Sequence, residues 1–282
     1  MEQSLLKLYS EIGDTNLIEV LVCDNCSTDA TEVVVKRMQE KYSNLVYHKN
    51  SENLGPMGNV QKVFELGRGI YINPHGDDDY YNPNIVWNIV NSLINNQDCS
   101  VVYTLTKSCP LTEKFGNGID EYIKSISYYS TFITGIFVKK DEYDKIEDKN
   151  KYFDSEINQV YIQMELLKKN NKFCIIEAPL FGVDSGSHNN KENQYNFAEV
   201  FIKYYLDIIS DYVGKGLSIK TYKNEKKILL DNMILPWIKI ISDKRVALRL
   251  DNLLEYYNKY YQDEEYYTEK LSIINSILEK KG

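Results

Sequence analysis

The sequence predicts an α/β fold, a mostly parallel sheet with helices on both faces, followed by a helical C-terminal region. Three observations predict it. Between Asn16 and Thr106, short apolar runs of strand length alternate with helix-like segments, and β-α-β-α alternation builds a parallel sheet. The first run, Asn16 to Asp24, is continuously apolar, as a buried parallel strand is. From Phe197 onward strand signals cease, and Tyr- and Lys-rich helical patterns follow.

Taken in order, "NLIEVLVCD" (Asn16 to Asp24) is a continuous apolar strand that ends in an acid. "EVVVKRMQEKYS" follows as a helix, with Ser27 or Thr28 available as its cap. "LVYHKN" is the second strand, "ENLGPMGN" a Gly/Pro turn, and "VQKVFELGRG" a short helix ended by glycine. "IYINP" is the third strand, and "NPNIVWNIVNSLINNQ" a helix with Pro83 near its start. "CSVVYTLT" is the fourth strand. Beyond it the pattern is less regular. Thr131 to Ile146 reads as a strand running into a helix, "SEINQVYIQMELLKKNNK" as an amphipathic helix, and "FCIIEAPLFGV" as a further strand. "DSGSHNNKEN" is a polar loop carrying His188. The expected division is 1–196 for the α/β domain and 197–282 for the helical region.

Bulk properties exclude several classes. The net charge of −8 argues against wholesale binding of nucleic acid. No run of apolar residues is long enough to span a bilayer, and the start has no basic segment followed by an apolar core, as a secretory signal would. The five cysteines, an odd number at irregular spacing, argue against a disulfide framework and fit a reducing cytoplasm. Cys23 and Cys26 form one CxxC without the second pair a zinc site needs. They read as one strand and one turn residue.

Chemistry concentrates where strands end. In open α/β sheets ligands bind at the carboxyl ends of strands, and two acidic sites fall there. Asp24 and Asn25 close the first strand. An acid there can accept from a nucleobase or ribose, or form an Asx-turn or helix cap. Asp77, Asp78 and Asp79 follow the third strand. Three adjacent carboxylates suit a hard divalent cation shared with substrate phosphates. The plainer alternative is an acidic turn in which Asp79 caps the next helix. In "NLGPMGN", Gly55 and Gly58 permit close backbone approach to a ligand, but no phosphate-loop signature follows. His188 is either a surface residue or a further metal ligand. His75 is structural or faces substrate.

Read together, "IEVLVCDNCSTDAT", "NLGPMGNVQKVFELGRGIYI" and "GDDDYYNP" resemble the inverting family-2 glycosyltransferases of the GT-A fold. "GDDD" and "STFITGIFVKKD" are similar to the abequosyltransferase-like subgroup. The resemblance implies a nucleotide-sugar donor, Mn2+ or Mg2+, and a glycan, lipid-linked or protein acceptor. It also implies transfer with inversion, in bacterial surface glycoconjugate synthesis. Carried over by position, the nucleotide-sugar-binding residues are Asp24, Asn25, Asn53, Gly55, Asn59, Asp77 and Asp78. The metal ligands are Asp78, Asp79 and His188.

The chain departs from the family pattern in three places. The first aspartate of the family's DxD falls at Gly76. The family's opening strand, with its "PTYN"-like segment, is not seen before "SLLKLYSEIG". The acidic pair that supplies the catalytic base falls at Asn158 and Gln159, neither of which is a base. Asp154 and Glu156, just upstream, are the catalytic substitutes. These departures leave a second reading open, a non-catalytic GT-A-like binding or scaffold protein. The C-terminal helices mix basic and apolar residues, as in "KNEKKILLDNMILPWIKIISDKR". They suit packing on the domain, a homodimer, or peripheral contact with the inner membrane face. The expected location is cytoplasmic, with that peripheral contact as its variant.

Overall fold

The computed structural model describes residues 1–181 and 195–279. The chain forms two compact units, one of Met1–Tyr122 and Tyr129–Asp184, the other of Ile123–Tyr128 and Ser185–Gly282.

In the first unit, α1 (Glu2–Ile12) precedes β1 (Val20–Asp24), α2 (Thr31–Gln39), β2 (Leu45–Lys49) and α3 (Gly55–Leu66). Then come β3 (Tyr71–Ile72), α4 (Val86–Asn95), β4 (Val101–Thr106), β5 (Thr112–Asn117) and α5 (Gly118–Ile126), whose residues from Ile123 on belong to the second unit. The last elements are β6 (Ile136–Lys139), α6 (Lys140–Tyr143), α7 (Asn158–Lys169) and β7 (Lys172–Ala178).

The α/β fold is as expected, and its pairing is mixed rather than mostly parallel. β1 and β2 pair in parallel, with Asp24 opposite Lys49. The other sheet has the order β3-β6-β4-β7-β5. Its β4–β7 pair is parallel, whereas β6 runs antiparallel to β3 and β4, and β5 antiparallel to β7. The reason lies in the short segments. β4 and β7 are buried along nearly their whole length, as central strands are. β5, "TEKFGN", is exposed at all but one position and covers an edge. Its charges and glycine hid it from the sequence reading.

Two apolar clusters position the strand ends. Leu5, Tyr9 and Ile12 of α1 pack with Val22, Val35, Met38, Leu45 and Val86. Ile85, Ile89, Val102, Phe137, Ile176 and Leu180 form the other cluster, and Cys99 and Cys174 are part of it. All five cysteines are free, with Cys23 in β1 and Cys26 in the turn after it at φ 65°.

Two local expectations change. Neither Ser27 nor Thr28 caps α2: its N-cap is Ala30, with no side-chain bond, and Asp29 Oδ1 accepts from the Thr31 N–H at 2.9 Å just before it. α4 starts at Val86, whose N–H goes to Glu11 Oε1 at 2.7 Å. Asp79 therefore does not cap it.

The second unit is helical: α8 (Tyr205–Ser210), α9 (Ile219–Leu229), α10 (Leu235–Ser242), α11 (Leu253–Tyr261) and α12 (Tyr267–Glu279). A π-helical turn, Leu230–Ile234, precedes the proline in the first turn of α10. Proline brings no N–H and its ring crowds the preceding turn, and a widened turn accommodates both. Tyr257 stacks with Tyr261 and Tyr267, with ring centroids 5.1 and 5.4 Å apart. Many of the tyrosines are thus core residues. No helix among the described residues is long and apolar enough to cross a membrane.

Candidate functional site

Asp24 ends β1 with 2% of its surface exposed. Its Oδ1 accepts from the Ser27 N–H at 2.7 Å and its Oδ2 from the Tyr47 hydroxyl at 2.6 Å. Burial by itself would raise its pKa. The bonds from Ser27 and Tyr47, with the charge of Lys49, outweigh that and hold the carboxyl below its ordinary range.

Four asparagine amides knit the neighbouring loops. Asn25 Oδ1 accepts from Asn50 Nδ2 and the Leu54 N–H, while Asn25 Nδ2 donates to Asn53 Oδ1 and the Gly55 carbonyl. Both lone pairs and both N–H groups of Asn25 are thereby used. Asn50 Nδ2 also donates to Asn59 Oδ1, and Asn59 Nδ2 donates to the Cys23 carbonyl, each at 3.0 Å. Asn53 Oδ1 receives the Gly55 N–H at 2.9 Å, and Gly55 opens α3 at φ 72°. The expected turn at 53–59 is therefore a turn plus the first coil of α3. Asn50, which the sequence reading took only as the end of the second strand, is the hub. It is 5% exposed, and its Oδ1 has no partner.

The acidic turn after β3 splits its three carboxylates. Asp77 turns away, 3.4 Å from the Met1 amino group and 64% exposed. Asp79 Oδ2 accepts from the Thr134 hydroxyl, and Thr134 Oγ1 in turn accepts from the Gly76 N–H at 3.1 Å. Asp79 Oδ2 and Asp78 Oδ1 lie 2.9 and 3.1 Å from the point where a Cβ on Gly76 would sit. They converge over the glycine. A side chain there would push against both carboxylates. Thr134 is fully buried before β6, and its carbonyl accepts from Asn73 Nδ2 at 2.8 Å.

Among the described residues no three His, Cys, Asp or Glu side chains group closely enough to hold a metal by themselves. Two hard carboxylate oxygens do suit Mg2+ or Mn2+, which keeps waters and shares phosphate oxygens. His188 lies outside the described residues.

Asp154 and Glu156 sit in a short turn before α7, both exposed. Glu156 adopts left-handed backbone at φ 62°, a conformation that costs a non-glycine residue energy. Although its side chain reaches solvent, partial burial raises its pKa, and the charge of Asp154 raises it further. Phe153 of the same turn lies 3.7 Å from a Cβ built on Gly58, which places the turn against the first coil of α3. Asn158 and Gln159 are structural. Asn158 Nδ2 bonds the Lys149 carbonyl, and Gln159 Nε2 bonds that of Thr131, each at 2.8 Å.

The comparisons decide the family. The model of "Glycosyl transferase family 2" matches residues 2–163, more than half of the chain. The chain belongs to glycosyl transferase family 2. This glycosyltransferase is 25% identical over 248 residues to abequosyltransferase RfbV of Salmonella typhimurium, covering 78% of its own length and 72% of the relative's. Its fold matches the crystal structure of S. aureus TarS 1–349 in complex with UDP, with TM-score 0.55, 14% identity, and coverage of 98% and 85%. It also matches mannosyltransferase PcManGT from Pyrobaculum calidifontis in complex with GDP-Man and Mn2+. There the TM-score is 0.56 at 13% identity, over 99% and 82% of the two chains. The fold is thus the GT-A fold with C-terminal helices. The protein is an enzyme that transfers sugar from a nucleotide-sugar donor, not the binding-only scaffold that Asn158 and Gln159 left open.

Proposed function

We propose that this glycosyltransferase is metal-dependent and inverting, and acts on a hydroxyl of a glycan, lipid-linked or protein acceptor in bacterial surface glycoconjugate synthesis. One observation carries the reading: Asp78 and Asp79 present two carboxylate oxygens to one point above Gly76, just after a strand end. Residues 1–196 form the donor-binding and catalytic part, and 197–282 the helical part. That part pairs two chains or touches the inner face of the membrane from the cytoplasm. PcManGT, of similar fold, binds Mn2+ with its donor, and similarity to an abequosyltransferase supports a bacterial sugar acceptor.

In this reading Asp24 meets the nucleobase through the edges of its carboxylate, and Asn25 holds the turn. Asn53, Gly55 and Asn59 flank the nucleotide, and Asp77, which faces solvent, would reach the diphosphate only by turning back. Asp78 and Asp79, with His188, would hold a divalent cation that stabilises the charge of the departing diphosphate. The acceptor oxygen bonds to the anomeric carbon as the bond from that carbon to the diphosphate oxygen breaks. The diphosphate leaves with the electron pair. Glu156, with Asp154 as the alternative, takes the hydroxyl proton. A raised pKa makes a carboxylate a better base at neutral pH.

The test is thermal melting of the full chain with Mn2+ or Mg2+ and a panel of nucleoside diphosphates. A binding-competent site gains stability with one metal–nucleotide pair beyond either alone. No shift with any pair overturns the metal-dependent reading.

A further inference from the structure

Beside the acidic turn runs a row of aromatic rings. Tyr81 stacks on Phe181, with centroids 5.0 Å apart and planes 25° apart. Phe132 meets Phe181 edge to face at 5.5 Å and 85°. The His75 ring lies 4.9 Å from that of Tyr81. The row is tied to the acidic turn from two sides. His75 Nε2 lies 2.9 Å from the Asp79 carbonyl, and Thr134, two residues beyond Phe132, donates to the Asp79 carboxylate.

Folding accounts for part of the row. Tyr81 and Phe181 pack against the apolar cluster of Ile85 and Phe137. Phe132 does not belong to that cluster and keeps 38% of its surface in water. A phenyl ring held open at the end of an aromatic row gains little from burial, and its placement beside reacting polar groups asks for a ligand with one apolar face. The donor's nucleotide end belongs elsewhere, at the β1 end around Asp24, and its diphosphate is anionic and heavily hydrated.

We propose that Phe132, with Phe181 and Tyr81 behind it, forms the acceptor subsite and receives a pyranose ring. A pyranose presents C–H groups on one face and hydroxyls around its rim. The C–H groups carry partial positive charge and match the electron-rich face of an aromatic ring, while the rim hydroxyls stay free to reach the polar turn. Stacking there brings an acceptor sugar beside Asp79 and the carboxylate pair. This inference rests on the donor reading above and extends it to the class of acceptor.

The test is saturation-transfer difference NMR on the full chain with Mg2+. The probes are methyl α-glycosides of glucose, galactose, mannose and rhamnose, with UDP and GDP measured in parallel. The expected result is ring C–H saturation of at least one glycoside. Binding should fall about five-fold in Phe132→Ala, as loss of one aromatic contact predicts, and persist in Phe132→Tyr. Melting of Phe132→Ala should stay near that of the wild type, since the ring is partly in solvent. The inference is overturned if no glycoside is saturated, if Phe132→Ala leaves the signal unchanged, or if only nucleotide signals depend on Phe132. In those cases a retained UDP or GDP signal leaves the donor reading intact, and loss of both nucleotide signals from the wild type sinks that reading as well.

Discussion

The Tyr47 hydroxyl donates to Asp24 Oδ2 at 2.6 Å across the β1–β2 pair. With the Ser27 N–H on Oδ1, both oxygens of this buried carboxylate have partners before any ligand arrives. Loss of a hydrogen bond to a charged group costs about 1.5–3 kcal/mol. Tyr47→Phe should therefore lower unfolding stability by that order in a denaturant titration. Because the folded pKa lies below the unfolded one, Asp24 contributes stability that is present above the unfolded value, about 3.9. That stability is lost as pH falls through the lower folded value. The stability difference between wild type and Asp24→Asn should shrink as pH drops below about 4. A constant difference down to pH 2 would contradict it.

Thr134 sets the acidic turn. Its hydroxyl holds Asp79 Oδ2 and receives the Gly76 N–H. Partners behind a metal ligand are typically worth about 10–100-fold in metal affinity. Thr134→Val, nearly isosteric, should weaken Mn2+ binding by that factor in a calorimetric or spin-resonance titration, and Thr134→Ser should restore it. Asp78→Ala should abolish transfer with its melt nearly intact. Asp77→Asn should change Mn2+ affinity little, since Asp77 faces the Met1 amino group and solvent. Mn2+ binding that survives loss of both Asp78 and Asp79 would remove the metal from this turn.

Glu156 is the base candidate favoured by its raised carboxyl. Removing a general base costs about 10²–10⁴-fold, so Glu156→Gln should lower kcat by at least about a hundred-fold with the donor KM nearly unchanged. Asp154→Asn should act through Glu156. It removes one cause of the raised pKa, and a base works when deprotonated, so the acidic limb of the kcat profile should move to lower pH. An unmoved limb, or full turnover in Glu156→Gln, places the base elsewhere.

In the helical unit, Glu225 is 2% exposed and accepts from the Tyr205 and Ser127 hydroxyls, each at 2.8 Å. Burial pushes its pKa up to about 7, and those bonds only partly oppose the rise. The sign is opposite to that of Asp24. Below the unfolded value, about 4.3, the group is neutral in both states; between that and 7 only the unfolded chain ionises, so stability falls as pH rises. Across that interval the cost is of the order of 3 kcal/mol. Glu225→Gln should flatten the fall in Tm between pH 5 and 7.5. A wild-type melt without such a fall would refute the assignment.

The strands that end at the site were legible because each is a short local run rich in β-branched and apolar residues: "VLVCD", "LVYHK" and "VVYTLT". Their acids were legible for the same reason, as a charge that closes such a run lies at a sheet edge. The family motifs, read in order, led to the glycosyltransferase assignment. What escaped was non-local. Asn50 looks like an ordinary residue after a strand, and its role as hub depends on Asn25 and Asn59 arriving from other segments. Thr134 is 58 residues from Gly76 along the chain. β5 escaped because an edge strand needs little apolar sequence.

By itself, then, the sequence determined the α/β class and the strand ends that carry acids, because apolar periodicity and turn chemistry act between near neighbours, while its motifs carried the resemblance to the family. Only the tertiary structure decided which carboxylates converge over Gly76, that neither Ser27 nor Thr28 caps α2, and that Asn25 is fully engaged. Those outcomes depend on which distant donor reaches an oxygen first, and packing alone sets that distance.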